Sequence, residues 1–266
     1  MAYISLSTRD INVLEKIKDP ESDPSRAVQV DPGLPKDPNI LDDELYRSIA
    51  RQERDIILSI QELEIRNSNA KSEDVPDVDI AAEYQKCISQ LGQLIEAHPK
   101  YASAYNNRAQ ALRRLCGDTM LLSVPQQPPQ ALLRKVTESD RQYMAQTALD
   151  DLDRATQILT PAKPFSKLSP QTAKTLSMAH TQRAAIYHIT SKLLASNPLS
   201  VDVRRREASW TELDFAENAS RDFAMGGRYG NEIAKGLAVS TNPTAKLCGQ
   251  MVREAMKKEY GDDLAV

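Results

Sequence analysis

The stretches AYNNRAQAL at 104–112 and AHTQRAAIY at 179–187 share one register: a bulky ring residue, an alanine four positions on, and a large apolar residue three further. On an α-helix that spacing stacks Tyr105, Ala109 and Leu112 on one face, and His180, Ala184 and Tyr187 on another. A small residue between two large ones lets a second helix approach closely while the large ones fill the gaps beside it. Downstream of each stretch lies a segment with the same habit: ALDDLDRA supplies Ala148, Leu152 and Ala155, and ASRDFAMG supplies Ala219, Phe223 and Gly226. The chain therefore folds as helix against helix. Composition agrees, because 9 Gly, 3 Phe and 1 Trp in 266 residues leave few of the residues that strands and their turns prefer.

Along the chain, KDPESDPSRAVQVDPGLPKDPNI at 18–40 holds five prolines and few large apolar residues. Residues 1–40 read as an extended or disordered arm, with a short helix at 10–18 whose Ile11, Val13, Leu14 and Ile17 form an apolar edge. A long helix is expected from Leu41, marked by Leu41, Leu45, Ile49, Ile56, Ile60 and Leu63, and a second from Val78 to Ala97, ended by Pro99. The third is the 101–115 stretch. A fourth of about thirty residues is expected from Gln130 to Leu159. Ser169 and Pro170 are the cap and first residue of a fifth. A sixth is expected from Val203 to Ala224, including Trp210. GGRYGN at 226–231 reads as a helix end requiring positive φ, and Asn242-Pro243 opens a last helix.

Helical hairpins in series point to a solenoid of tetratricopeptide repeats, pairs of about 34 residues with large and small residues at fixed positions. With Ala102 at position one, Tyr105, Ala109 and Leu112 fall at four, eight and eleven. The expected architecture is all-α: a repeat domain over 41–240 with divergent repeats at 41–99, 100–160 and 170–231, insertions near 118–142 and 190–209, and a C-terminal capping helix and tail over 241–266. ASAYNNRAQA, ALDDLDRA, ASRDF and NPTAKLC, in that order, together with DINVLEKIKDPESDP, resemble the tetratricopeptide repeat protein 36 family over about residues 80 to 255. The chain departs from the compact animal pattern in its insertions, its longer first repeat and its lengthened tail. The resemblance implies a non-catalytic adaptor that holds or protects another protein, and links it to an enzyme of tyrosine catabolism.

Charge excludes some functions. With 34 Lys and Arg against 37 Asp and Glu, and no long block of either sign, no nucleic-acid partner is expected. No apolar run reaches the ~18 residues of a membrane span, and no targeting segment is visible, so the chain reads as cytoplasmic, with the nucleus as the alternative. Cys87, Cys116 and Cys248 lack metal-ligand spacing and read as free buried thiols; no cofactor or metal is expected. His180 and His188 sit about 12 Å apart on one helix, too far to share a metal, and His180 reads as a packing residue. GxSxG, HExxH and a phosphate-cradling loop are all missing, so the protein is expected not to be an enzyme. Arg204–Arg206 and Arg113-Arg114 read as solvated faces.

The remaining feature is the polar run inside an alanine-rich helix. Asn106, Asn107, Gln110 and Arg114, with Gln182 of the third repeat, are the expected partner-binding residues of a groove. Asn107 resembles the asparagine of the carboxylate clamp with which some such domains hold an acidic chaperone tail. The basic residues of that clamp would stand at 178 and 182, where this chain has Met178 and Gln182. Partner recognition by a differently lined groove is the expected function. A co-chaperone binding an acidic C-terminal peptide and a self-assembling scaffold are the alternatives.

Overall fold

The computed structural model describes residues 28–69, 80–122, 131–133, 136–163, 166–196, 199, 201–202 and 204–260. Among them are eight α-helices: α1 (Asp43–Asn69), α2 (Ile80–Ala97), α3 (Ala102–Cys116), α4 (Glu138–Leu159), α5 (Pro170–Ser196), α6 (Glu212–Arg228), α7 (Glu232–Thr241) and α8 (Pro243–Tyr260). The helix expected at 10–18 lies outside the described residues.

The helices pair in chain order, α1 with α2, α3 with α4 and α5 with α6, and each pair packs on the next. Small residues make this possible. Ala109, Ala148, Ala155, Ala184 and Ala219 are all 0% exposed, because facing helices touch where they stand. Leu112, Leu152, Leu176, Tyr187 and Phe215 fill one continuous core between them. Burying each such side chain contributes roughly 1.5–3 kcal/mol.

Helix boundaries follow capping chemistry, and this corrects two of the expected elements. The fourth helix begins at Glu138, not near Gln130, because the Thr137 hydroxyl accepts from the Asp140 amide. Upstream, the amides of Leu132 and Leu133 bond the carbonyls of Arg114 and Leu115, tying that stretch to the end of α3. The sixth helix begins at Glu212, not Val203, where Thr211 and Asp214 cap one another reciprocally. Trp210 lies outside the helix, edge-on to Tyr187 and Phe215 at 5.3 and 5.2 Å. Ser169 and Asn242 cap α5 and α8 as expected, accepting from the amides of Thr172 and Thr244.

The two insertions meet. Leu122 forms an antiparallel bridge with Val201, Met120, Leu121 and Leu122 are buried, and the 3₁₀ turn Arg206–Ser209 carries the fully buried Glu207 back onto Tyr187. At the other end, 28–40 is pinned, extended at 28–31 and then folded through turns at Asp31–Leu34 and Asp37–Ile40. Val30 bridges Leu168, the Val28 amide donates to the Arg228 carbonyl at 3.0 Å, and the Ser169 hydroxyl donates to the Lys36 carbonyl at 3.0 Å. The arm thus ties the third pair to the start of α1. Of the expected α1 stripe, Ile49 and Leu63 are buried, whereas Leu41 and Leu45 are exposed.

GGRYGN divides into two roles. Gly230, at φ +104°, ends the helix as expected. Gly226 and Gly227 lie inside α6 and serve close packing: a Cβ on Gly226 would sit 2.5 Å from Thr181 Oγ1, and one on Gly227 would sit 2.8 Å from Lys235 Cα. The helix they admit is α7, whose Ala234 and Ala238 bury against Phe223 and Ala184. The last repeat is therefore covered by α7. The following helix, α8, expected as the C-terminal cap, leaves Leu247, Met251, Val252 and Met256 exposed, and Cys248 is exposed with them.

Candidate functional site

The first helices of the three pairs, α1, α3 and α5, share one face, and a groove of about 1100 Å³ runs between them. Ile57, Ile60, Gln61, Glu64 and Ile65 of α1 form one wall, with Tyr84 of α2 behind them. Asn107, Gln110, Ala111, Arg113 and Arg114 of α3 form the other, and Ile189 of α5 closes one end beside Gly117–Thr119. Positions 53, 57, 60 and 64 fall on one helical face, so α1 presents aliphatic residues bracketed by two glutamates.

Those glutamates organise the polar atoms. Tyr101 Oη donates to Glu53 Oε2 at 2.6 Å and Asn107 Nδ2 to Glu53 Oε1 at 2.8 Å. Burial raises the Glu53 pKa, against the lowering pull of these bonds. Arg114 grips Glu64 with two bonds, at 2.6 and 2.9 Å, and Tyr84 Oη donates to the same carboxylate at 2.5 Å. Burial acts to raise Glu64, but these partners outweigh it and hold the carboxyl below its ordinary range. Arg113 grips Asp118 through bonds of 2.7 and 2.9 Å. The groove's two arginines are thus each neutralised by an acid of the same chain.

Of the five residues expected at the groove, Asn107, Gln110 and Arg114 line it. Asn106 and Gln182 do not. Asn106 is 2% exposed and Gln182 7% exposed, and they face each other across the α3–α5 contact: Gln182 Nε2 donates to Asn106 Oδ1 at 2.8 Å. Arg113 Nη1 donates to Gln182 Oε1 at 3.2 Å, completing a chain from Asp118 to Asn106. Two neutral amides with matched donor and acceptor can cross a buried interface at little cost, which a lone charge could not. They set the spacing between repeats and have no surface to offer a partner.

Sequence reasoning missed Glu53, Glu64, Arg113 and Asp118. The glutamates carried a readable signal, their spacing on the stripe of Ile57 and Ile60; nothing local marks Asp118 as the partner of Arg113.

A second polar cluster lies between α4, α5 and α6. Arg183 forks onto Asp222 with two bonds of 2.6 Å and reaches Asp153 at 2.5 Å, while Arg206 joins Asp153 at 2.8 Å and Glu207 at 2.9 Å. His180 Nδ1 lies 2.8 Å from Asp222 Oδ1, and its ring stacks on Tyr229 with centroids 5.8 Å apart, a packing role as expected. Burial acts against the charges of Asp222 and Glu207, yet their arginines hold both carboxyls below the usual range. Of the basic run, Arg204 and Arg206 are solvent-exposed as expected while pairing with Asp202 and Asp153, and only Arg205 is buried, on Glu207. No group of three metal-ligating side chains occurs among the described residues, and no helix there is long and apolar enough to cross a membrane.

An all-α array of helical hairpins, with small residues at the pair contacts and a groove along the first helices, is a tetratricopeptide-repeat-like fold. The chain is 36% identical over 262 residues to the L-tyrosine degradation gene cluster protein hmgX of Aspergillus fumigatus, spanning 96% of this chain and 93% of that protein. It is 25% identical over 253 residues to tetratricopeptide repeat protein 36 of Danio rerio, at 95% and 94% coverage, and 28% identical over 176 residues to that of Mus musculus, at 66% and 62%. It belongs to the tetratricopeptide repeat protein 36 family, with the hmgX protein as a relative. No family model and no solved structure matches the chain.

Proposed function

We propose that this protein is a non-catalytic adaptor whose groove receives an amphipathic helix of a partner protein, and that the partner belongs to tyrosine breakdown. One observation carries the reading: every arginine and glutamate of the groove is paired within the chain, which leaves Ile57, Ile60, Ile65 and Ile189 as its main apolar surface. Such a lining selects branched aliphatic side chains at helical spacing. An acidic C-terminal tail is the poorer fit, because its carboxylate would have to displace Glu64 from Arg114 or Asp118 from Arg113. The pathway rests on the name of the Aspergillus relative, a protein of an L-tyrosine degradation gene cluster. Free thiols at Cys87, Cys116 and Cys248 suit a reducing cytoplasm.

Affinity purification from native extract tests both halves. Full-length protein is compared with Ile57→Glu plus Ile65→Glu, and with Asn107→Ala plus Gln110→Ala, each checked for an unchanged unfolding midpoint. The expected result is recovery of an enzyme of tyrosine breakdown by the wild type and its loss from the isoleucine variant. Equal recovery by both would refute the groove; recovery of partners from other pathways alone would refute the setting.

A further inference from the structure

We propose that the groove of one copy receives α8 of a second copy, so that the protein closes its own groove by reciprocal exchange of C-terminal helices. The inference rests on the reading that the groove takes an amphipathic helix, and adds which helix occupies it when no other partner is present.

Helix α8 is built for such a site and has no cover of its own. At 100° per residue, Leu247, Cys248, Met251, Val252, Ala255 and Met256 occupy one half of its circumference, and Gln250, Arg253 and Glu254 the other; Lys258 enters the apolar half only past Met256, at the C-terminal end. Leu247, Met251 and Val252 are 57–61% exposed and Met256 47%. A helix of 18 residues without a packed face is marginal in water, so its apolar half calls for a partner surface. Among the described residues, the main contacts of α8 within its own chain are with α6 and α7, at the far end of the array from the α1–α3 wall, so its own groove is not what it meets.

The groove offers what α8 lacks: four isoleucines along two helices, with charges already matched, so that α8 needs to supply no countercharge. Laying three turns of apolar helix into it buries on the order of 1,000 Å² in total, the low end for a specific interface, whereas two reciprocal contacts bury about 2,000 Å², enough for a stable pair. Reciprocal exchange also closes the symmetry as a dimer, where a one-way contact would propagate into a filament.

The test follows full-length protein by sedimentation velocity from about 1 to about 100 µM, alongside Met251→Glu plus Val252→Lys in α8 and Ile57→Glu plus Ile65→Glu in the groove. The wild type is expected to pass from monomer to dimer and each variant to stay monomeric. An equimolar mixture of the two variants is expected to form a weaker heterodimer, since one intact helix meets one intact groove. In parallel, alkylation of Cys248, which lies within the apolar half, should slow about fivefold at the highest concentration if the dissociation constant is on the order of 10 µM. A wild type that stays monomeric, or a groove variant that dimerises like the wild type, would overturn the proposal. The α8 variant separates it from the proposed function: partner recovery should persist or rise in that variant, whose groove is intact, even if self-docking fails.

Discussion

Replacing Asn106 and Gln182, singly and together, distinguishes a buried inter-repeat pair from a partner-binding pair. Asn106→Ala removes the Oδ1 that accepts from Gln182 at 2.8 Å and leaves that amide with only the Asn106 carbonyl at 3.3 Å. Leaving a buried polar group poorly satisfied costs about 1–3 kcal/mol, so about 2 kcal/mol is expected for this change. Gln182→Ala strands both Asn106 Oδ1 and one Arg113 donor, and is expected to cost about 2–3 kcal/mol. The double variant should cost about 3 kcal/mol, less than the sum, because each substitution removes the group the other leaves unpaired; the expected coupling is about 1–2 kcal/mol. Urea unfolding followed by circular dichroism measures all three, and each kcal/mol should move the melting point by roughly 2–4 °C in a chain of this size. Additive costs, or variants of native stability that lose partner recovery, would refute the buried-pair assignment and return these residues to the groove.

Three further outcomes follow from the packing. Glu207→Gln should destabilise by about 3–5 kcal/mol in urea unfolding, because it leaves the 94%-buried Arg205 side chain without its counter-ion, while the 56%-exposed Arg206 adds little; a cost below about 1 kcal/mol would contradict this. Because Glu207 and Asp222 have folded pKa values below their unfolded ones, their contribution is complete above the unfolded carboxylate value of about 4 and is lost as pH falls through the folded values. Stability measured from neutral to acid pH should therefore fall on the acid side, and less steeply in Glu207→Gln. In α6, Gly227→Ala should cost more than Gly226→Ala, since its Cβ meets Lys235 backbone, whereas Gly226→Ala meets the Thr181 hydroxyl and should be partly relieved by Thr181→Ala; equal stability of both alanine variants would show that α7 does not approach so closely.

The helical class, the pairing of helices and the caps Ser169 and Asn242 were legible in the sequence because each is a local property. A small residue at fixed spacing marks a close helix contact wherever the chain goes, and Ser169, Pro170 and Asn242 satisfy amides within a few residues of themselves. The fourth and sixth helices were drawn too long for the complementary reason: the stretches before Thr137 and Thr211 have helix-compatible composition, but their hydrogen bonds go to α3 and to the buried turn around Glu207.

The site divides along the same line. Periodicity places Asn106 and Asn107 on successive positions of one helix, yet neighbouring positions are turned by 100°, and only the packed neighbours decide which of them faces a groove and which faces a helix. Asn106 met Gln182 and became part of the interior; Asn107 met Glu53 and stayed at the groove wall. Likewise the apolar half of α8 is visible in PTAKLCGQMVREAM, but its exposure is not, because α7 had already occupied the last repeat through the gap that Gly226 and Gly227 leave. The sequence by itself determined that helices pair and which small residues mark their contacts. The tertiary structure alone decided which polar side chains satisfy one another across helices, because burial and charge pairing depend on residues far apart in the chain.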